Sequence, residues 1–589
     1  MNKLILNLKK LIKTFLYKKK KINNININIL YNNNIKYSNI TIILPLPLIF
    51  KKKKKIYYKI CEIIINKYKK YFIKYSIKNC FLNFFLNNYF YINVINKFIN
   101  IDYNIDKLIL NKKNNKKLII VEFSSPNSNK PLHIGHLRNI LIGDTISNIY
   151  KSLGYKVIKS QIINDRGIHI CKTIISLKLF FKNKTPSLLN IKGDYFVGKL
   201  YFKFEKKLKS EIKYLSKKYN INNKKKILNK SKLLKKVNNE LLKWEKKNKK
   251  TIFYWKLIKS WVLKGFKKTY KKLNIKFDET IYESKIYLKG KKIIKKCIKN
   301  NKIFFKKNKS VFFLFKKKYK ILLLRSNGTS LYITQDIGSI IYRLKKYKKI
   351  YLLIYVVGNE QIFHFKVLFN IIKKLNLLNN NNNIKLYHLS YNTVNYLGKK
   401  IKSRYNKKNI IFIDYLIKKM YKYVKNKINK KKNLNKITIG TIKYQFIKIN
   451  FKKIINFNFK SSLNLKGNTY IYIQYTYVRI YSILKKNNKN IKNNNIKKNK
   501  KIKENEKKII IDIINYLEIL KKTIKNYDPS ILTNYIYFLS KKINNFYQKN
   551  KILTNNLYKK NLRLNICIII LKILYKSMKI LNIPILKKM

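Results

Sequence analysis

Four short strand-like runs frame the middle of the chain: Leu118–Phe123, Val157–Ile163, Tyr351–Val357 and Leu386–Ser390. Each has the length of a buried strand and is too short for a helix. Helix-like runs alternate with them, which predicts a parallel α/β sheet over residues 106–430. Within that region, residues 200–270 are a lysine-rich helical stretch that carries all three tryptophans, Trp244, Trp255 and Trp261. They read as packing helices of an insertion over about 175–320. Residues 1–105 mix helical runs with one strand-like stretch, Thr41 to Leu46, and are expected to form a separate α+β domain. Beyond about residue 430 the pattern is helical, so 431–589 is expected to be all-α. Asn379–Asn383 and Lys485–Lys503, rich in Asn and Lys, read as surface loop or linker. No apolar run reaches the roughly 18 residues of a membrane span. Ile40 to Phe50 comes nearest and is too short, so no membrane partner is expected.

Composition changes this picture less than its extremes suggest. The 589 residues hold 138 Lys+Arg against 22 Asp+Glu, a formal charge of +116. Such a charge points to nucleic acid. Yet Lys, Asn, Ile and Tyr dominate everywhere, including segments expected in the core, and all four have codons written with A and T alone. Drift explains that bias as well as selection does, so the charge permits an RNA partner without requiring one. The rare residues carry more information. Of 14 glycines, Gly135, Gly143, Gly154 and Gly167 fall within 33 residues, and three of five histidines, His133, His136 and His169, lie beside them. Glycine kept there implies a sharp turn or a close approach of backbone to a ligand. Five scattered cysteines (Cys61, Cys80, Cys171, Cys297, Cys567) form no C-x-x-C pair, which argues against a disulfide framework and a structural zinc site and fits a reducing, cytoplasmic setting. The basic, acid-free start (Met1 to Lys20) has the composition of a transit peptide, but so does most of this chain, and it is read as ordinary sequence.

The rare residues converge on Leu118 to Asp144. The first apolar run leads into the polar loop Ser124-Ser125-Pro126-Asn127-Ser128-Asn129-Lys130-Pro131, after which His133-Ile134-Gly135-His136 opens a helix. A strand, a tight loop and a helix N-terminus make an anion site, because free backbone N–H groups and the positive end of the helix dipole face the loop. Two imidazoles three residues apart add donors for phosphate oxygens. This stretch resembles the HIGH signature of class I aminoacyl-tRNA synthetases. Its wording, Glu122-Phe123-Ser124-Ser125-Pro126-Asn127 before Lys130-Pro131-Leu132-His133, is similar to the arginyl-tRNA synthetases.

That resemblance implies a multidomain fold: a Rossmann-type parallel-sheet catalytic domain (106–430), an N-terminal α+β tRNA-contacting domain (1–105, with Phe81-Leu82-Asn83-Phe84-Phe85) and a helical anticodon-binding domain (431–589). It implies arginine–tRNA ligase activity, with ATP and Mg²⁺, L-arginine and tRNA-Arg as partners, in a monomer. Pro131, His133, Gly135 and His136 would hold ATP, with the two histidines acting in catalysis. Gly398-Lys399-Lys400-Ile401-Lys402-Ser403-Arg404 resembles the second class I signature, KMSKS. There Lys400 and Lys402 would neutralise the leaving pyrophosphate, with Lys402 and Ser403 also contacting ATP. Tyr405-Asn406 stands where the family usually has a glycine.

A planar guanidinium is best read by a carboxylate with an aromatic wall. Tyr332 and Asp336, four apart, match the family's guanidinium-facing positions, while Glu122, Asn127 and Gln361 match further arginine-binding positions. Asn164-Asp165-Arg166-Gly167-Ile168-His169 resembles a family block, with Asp165 and Gly167 in the pocket wall. Tyr475, Tyr477, Arg479 and Met589 match the tRNA-binding part of the helical domain, where aromatics among cations suit unpaired bases. Three rivals remain at this stage. A cysteinyl-type synthetase needs zinc ligands that this sequence does not cluster. A catalytically degenerate tRNA-binding remnant is suggested by the altered 399–406 segment. A non-specific basic nucleic-acid binder would have no use for the glycine cluster.

Overall fold

The computed structural model describes residues 2–20, 27–32, 38–44, 53–79, 81–109, 112–219, 223–300, 304–307, 309–316, 319–326, 330–347, 349–375, 384–396, 399–400, 411–428, 433–464, 467–487, 496 and 501–588. They divide into two compact units, Met1–Leu110 with Leu463–Met589, and Asn111–Ser462.

The first unit joins the two ends of the chain. Its N-terminal part is an antiparallel four-stranded sheet in the order Asn28–Tyr31, Ile40–Ile43, Phe81–Leu86, Phe72–Lys78. Phe81–Leu86 buries alternate residues, Leu82, Phe84 and Leu86, and leaves Phe81 exposed, the period-two pattern of a sheet with one wet face. Its C-terminal part is four helices, Tyr470–Lys486, Glu504–Asn526, Ser530–Lys549 and Leu557–Ile580. Side chains cap two of them at the start: Thr469 accepts from the Tyr472 N–H and Asn556 from the Lys559 N–H.

The second unit is built on five parallel strands: β1 (Leu118–Glu122), β2 (Lys156–Ile163), β3 (Glu279–Tyr282), β4 (Ile350–Gly358) and β5 (Lys385–Tyr391), ordered β5-β4-β1-β2-β3. Ile119, Ile120 and Val121 of β1 are all buried, as expected when helices cover both faces of a parallel sheet. The helices that matter below are α1 (Ile134–Ser152), α2 (Ile168–Phe180), α3 (Gly193–Lys218), α4 (Lys249–Lys272), α5 (Glu283–Asn300), α6 (Tyr332–Lys346), α7 (Ile362–Lys374), α8 (Ile413–Lys427) and α9 (Leu434–Ile447). Among the close approaches that need glycine, two set helices against the sheet and each other. A Cβ on Gly143 would lie 2.3 Å from the Phe123 ring, so its absence lets α1 lie on the end of β1. Gly290 of α5 meets α6 at Gly338, and a Cβ on Gly290 would lie 1.9 Å from the Thr334 carbonyl oxygen.

All four strand-like runs are strands of this one sheet. The stretch read as an insertion also contributes the fifth, since β3 is an edge strand of the main sheet; it holds as well the antiparallel strands Phe304–Lys307, Ser310–Phe315 and Tyr319–Leu324. The sheet unit runs on to Ser462, about thirty residues past the change of pattern at 430. The reason is visible in α9 and the strand Ile455–Phe457: α9 packs on α1, and Ile455–Phe457 pairs in parallel with Val394–Tyr396. Asn379–Asn383 and most of Lys485–Lys503 lie outside the described residues, although Lys485 and Lys486 close a helix and Lys503 precedes the next.

Candidate active site

The strand order reverses direction between β1 and β4, and in open α/β sheets ligands bind outside the carboxyl ends of the strands at such a point. Asn139 of α1 ties the two strand ends together: its Oδ1 accepts from the Ser124 N–H at 2.6 Å and its Nδ2 donates to the Val356 carbonyl at 2.5 Å. His133 is the N-cap of α1. Its Nδ1 accepts from the Gly135 N–H at 3.2 Å, and the His136 Nδ1 accepts from the His133 N–H at 3.1 Å. With both Nδ1 atoms acting as acceptors, each neutral ring carries its proton on Nε2, the donor it can offer a ligand. The rings stack at 3.8 Å. Burial, then mutual repulsion and Lys130, push His133 well below the usual imidazole range; burial and Lys130 push His136 down to about 3. The rings are therefore neutral donors at physiological pH. A Cβ on Gly135 would press the His133 ring at 3.1 Å, so Gly135 keeps this stack as well as access to the backbone. Pro131 is buried just before it.

The segment that follows the second signature is joined to this motif. His133 bridges Phe412, the Ile134 N–H donates to the Ile411 carbonyl at 2.9 Å, and the Ile413 N–H donates to the Leu132 carbonyl at 3.0 Å. The backbone of Lys399–Lys400 pairs antiparallel with Asn395 and Tyr396. The side chain of Lys400, and all of Lys402 and Ser403, lie outside the described residues.

On the amino-acid side, Tyr332 opens α6 and is 67% exposed, and Asp336 follows one turn later. His364 of α7 meets the Asp336 carboxylate at 2.6 Å through Nε2. Gln361 is exposed in the 3₁₀ turn after β4, and Asn127 is exposed with its Oδ1 accepting from Asn164 Nδ2 at 3.1 Å. Glu122 departs from the expectation. It is buried, and its carboxylate accepts from Arg343 Nη1 at 2.5 Å, so an internal guanidinium occupies the group expected to hold substrate. Arg343 also donates to Ser160 at 3.1 Å. Burial works against its charge, but Glu122 and Tyr355 outweigh that and raise its pKa. Asp165 is likewise committed inward: fully buried, it accepts from Lys259 at 2.5 Å and from the Ser284 N–H and hydroxyl at 2.9 and 2.8 Å. Arg166 lies 3.7 Å over the Tyr287 ring. Together with Trp255, whose Nε1 donates to the Asp165 carbonyl at 2.5 Å, this block fastens the tryptophan helices to the sheet.

The sequence reading missed Glu283, the first residue of α5. It is buried, bonds Gln335 of α6 and feels both Asp336 and Asp165. Burial raises its carboxyl to about 7, with Arg166 opposing and the two aspartates adding. A second carboxyl beside Asp336 suits a guanidinium, which has five donors to share. The available signal was scarcity, since any of 22 acids in so basic a chain is worth placing.

In the first unit, Tyr475 is exposed, and Arg479 one turn later lies 4.3 Å over the Tyr547 ring and 5.5 Å from that of Tyr475. These three, with Ser482, Ile483 and Leu553, line a groove of about 570 Å³. Tyr477 is not part of it. Two residues from Tyr475, it faces the opposite side of the helix and is buried, with its ring 6.5 Å from that of Tyr481. Met589 lies outside the described residues; the chain just before it is docked by Gln474, which donates to the Leu586 carbonyl at 2.7 Å and accepts from its N–H at 3.2 Å.

Residues 97–460 match the family described as tRNA synthetases class I (R), catalytic domain, and residues 473–589 match the DALR anticodon binding domain. The chain is 38% identical over 508 residues to an arginine–tRNA ligase of Borreliella afzelii, covering 83% of this chain and 82% of the relative. It is 36% identical to the arginine–tRNA ligase of Borreliella burgdorferi across 97% of this chain and 98% of that one. The crystal structure of arginyl-tRNA synthetase from Plasmodium falciparum superposes with a TM-score of 0.77 at 24% identity, covering 99% of this chain and 98% of that one, which is likeness of fold.

Proposed function

The chain belongs to the class I arginyl-tRNA synthetases, and from that membership we propose that it joins L-arginine to the 3′-terminal adenosine of tRNA-Arg in the cytoplasm, using ATP and working as a monomer. The observation that carries the reading is the stacked His133–His136 pair, held as neutral Nε2–H donors where the sheet reverses direction. The arginine carboxylate attacks the α-phosphorus of ATP, the bond to the β-phosphate oxygen breaks, and pyrophosphate leaves. Charge that builds on the α-phosphate oxygens meets two donors already oriented by the helix cap. Lys400, Lys402 and Ser403 are assigned to the departing phosphates, and Pro131 and Gly135 to the bed on which ATP lies. The 2′-hydroxyl of the terminal adenosine then attacks the arginyl carbonyl, and AMP leaves.

Tyr332, Asp336 and Gln361 are assigned to arginine, with Glu283 as a second carboxyl near Asp336. Asn127 is assigned to its α-amino end. Glu122 acts through Arg343, by holding α6 to β1. Among the described residues no three His, Cys, Asp or Glu side chains gather to hold a metal. Mg²⁺ is assigned to the phosphates of ATP. Among the described residues no helix is long and apolar enough to cross a membrane. Residues 1–105 and 463–589 are assigned to tRNA, with Tyr475, Arg479 and Tyr547 at the groove that receives unpaired bases. Replacing Asp336 with Ala tests the assignment. Arginylation should fall by about a hundredfold or more while tRNA binding survives, since the guanidinium loses a charged partner. Undiminished charging would refute the arginine site.

A further inference from the structure

Only seven of the 138 Lys+Arg residues are arginine. In a chain so rich in lysine, a surviving arginine marks a place where a flexible ammonium does not suffice. Arg138 of α1, two residues past His136, is completely buried. Among the described residues it meets no carboxylate; its fork ends in five main-chain carbonyls instead. Nη1 donates to Asn392 at 2.7 Å and Thr393 at 2.9 Å, and Nη2 to Asn450 at 3.2 Å, Phe451 at 3.1 Å and Lys453 at 2.7 Å. A lysine offers three donors from one point and cannot span these two strips of backbone. Burial lowers the guanidinium to about 10, with Tyr391 opposing, and the five carbonyl dipoles face its charge.

The carbonyls are not arbitrary ones. Asn392 and Thr393 lead into Val394–Tyr396, the central strand of a small sheet with Ile455–Phe457 on one side and Lys399–Lys400 on the other. Asn450 to Lys453 lead into Ile455–Phe457, and the Asn392 N–H joins the two segments by donating to the Phe451 carbonyl at 2.9 Å. Arg138 therefore grips the central strand Val394–Tyr396 and the edge strand Ile455–Phe457 at their roots, from the same helix that begins with the paired histidines. The other flank is fixed by the same short stretch, since Leu132, His133 and Ile134 pair with Ile411 to Ile413.

We propose that Arg138 is a positioning residue for the chemical step: it fixes Val394–Tyr396, the strand against which Lys399–Lys400 pairs, relative to His133 and His136. It touches no substrate. The proposal rests on the assigned activity and on Lys400 acting at the phosphates. A misplacement of about an ångström far from the reacting atoms can cost about a hundredfold in rate, and such a loss appears in kcat, not in KM.

The test compares wild type with Arg138→Lys and Arg138→Gln in steady-state arginylation, below the melting midpoint of each, with hydrogen exchange on the same samples. The expected result for Arg138→Lys is a kcat lower by about a hundredfold, with KM for arginine and affinity for tRNA within about threefold of wild type. Exchange should quicken in 392–396 and 450–457 and stay unchanged in β1 and β4. A kcat within about threefold of wild type, or a raised KM at unchanged kcat, overturns the proposal. Failure of both variants to fold also overturns it, because the bonds would then hold up the unit as a whole. An inactive wild type would refute the activity instead; the exchange arm would then decide, with unchanged protection in 392–396 counting against the clamp.

Discussion

Glu283 and the paired histidines are tuned in opposite directions by the same cause. Burial disfavours charge on both, which raises a carboxyl to about 7 and depresses an imidazole to about 3. The consequences can be read in one pH profile. Arginine carries a fixed positive charge, so kcat/KM for arginine should rise as pH climbs through about 7 and Glu283 ionises, and Glu283→Gln should flatten that rise. The histidines add no inflection near 6.5, because their folded pKa values lie far below it. Their contribution to stability is complete above the unfolded value of about 6.5 and is lost as pH falls from there toward the folded values. A profile that falls between pH 6 and 8, or that Glu283→Gln leaves unaltered, contradicts the assignment. At this scale the sequence was legible where residue types were rare. His133, His136 and Asp336 stand out in a chain with 5 histidines and 22 acids. Glu122 stood out too, but its partner Arg343 lies 221 residues away, a distance no local pattern reports. Tyr475 and Tyr477 could not be separated, since 47 tyrosines hide which face of a helix is wet.

The strands of the parallel sheet were legible because burial on both faces writes a continuous apolar run, as in β1 and β4. Edge strand β3 was not: four residues long, it buries Glu279 and Ile281 and turns Thr280 outward. The extent of the sheet unit beyond 430 was hidden for a different reason. Helix α9 reads like any helix of the C-terminal third, and only its packing on α1 and α8 assigns it. The crossing of α5 on α6 is likewise a tertiary fact, carried by Gly290 and Gly338. It sets where Asp336 and Glu283 sit relative to each other, because one lies on each helix. Gly290→Ala would force a methyl group against the Thr334 carbonyl and push the helices apart. A cost of about 1–3 kcal/mol or more is expected, read as a lower melting midpoint together with a raised KM for arginine. A variant that melts and binds arginine like wild type would show that the crossing does not govern the site.

Over the whole molecule, 138 cations against 22 acids leave self-repulsion that a polyanion would relieve. Bound tRNA should raise the melting midpoint beyond what arginine and ATP achieve, and the gain should shrink steeply with added salt as counterions compete. An unchanged midpoint would mean that the charge is carried without cost and has no bearing on folding. The charge says that RNA is welcome, whereas we assign the choice of arginine to a few residues of α5, α6 and the turn after β4. One measurement separates these most directly: incubation of the full chain with ATP, total tRNA and a mixture of all amino acids, followed by identification of what is esterified to the tRNA. Arginine alone is the result this account requires. Any other amino acid would overturn the assignment of Tyr332, Asp336 and Glu283, and tRNA bound but left uncharged would show a chain that kept its RNA grip and lost its chemistry.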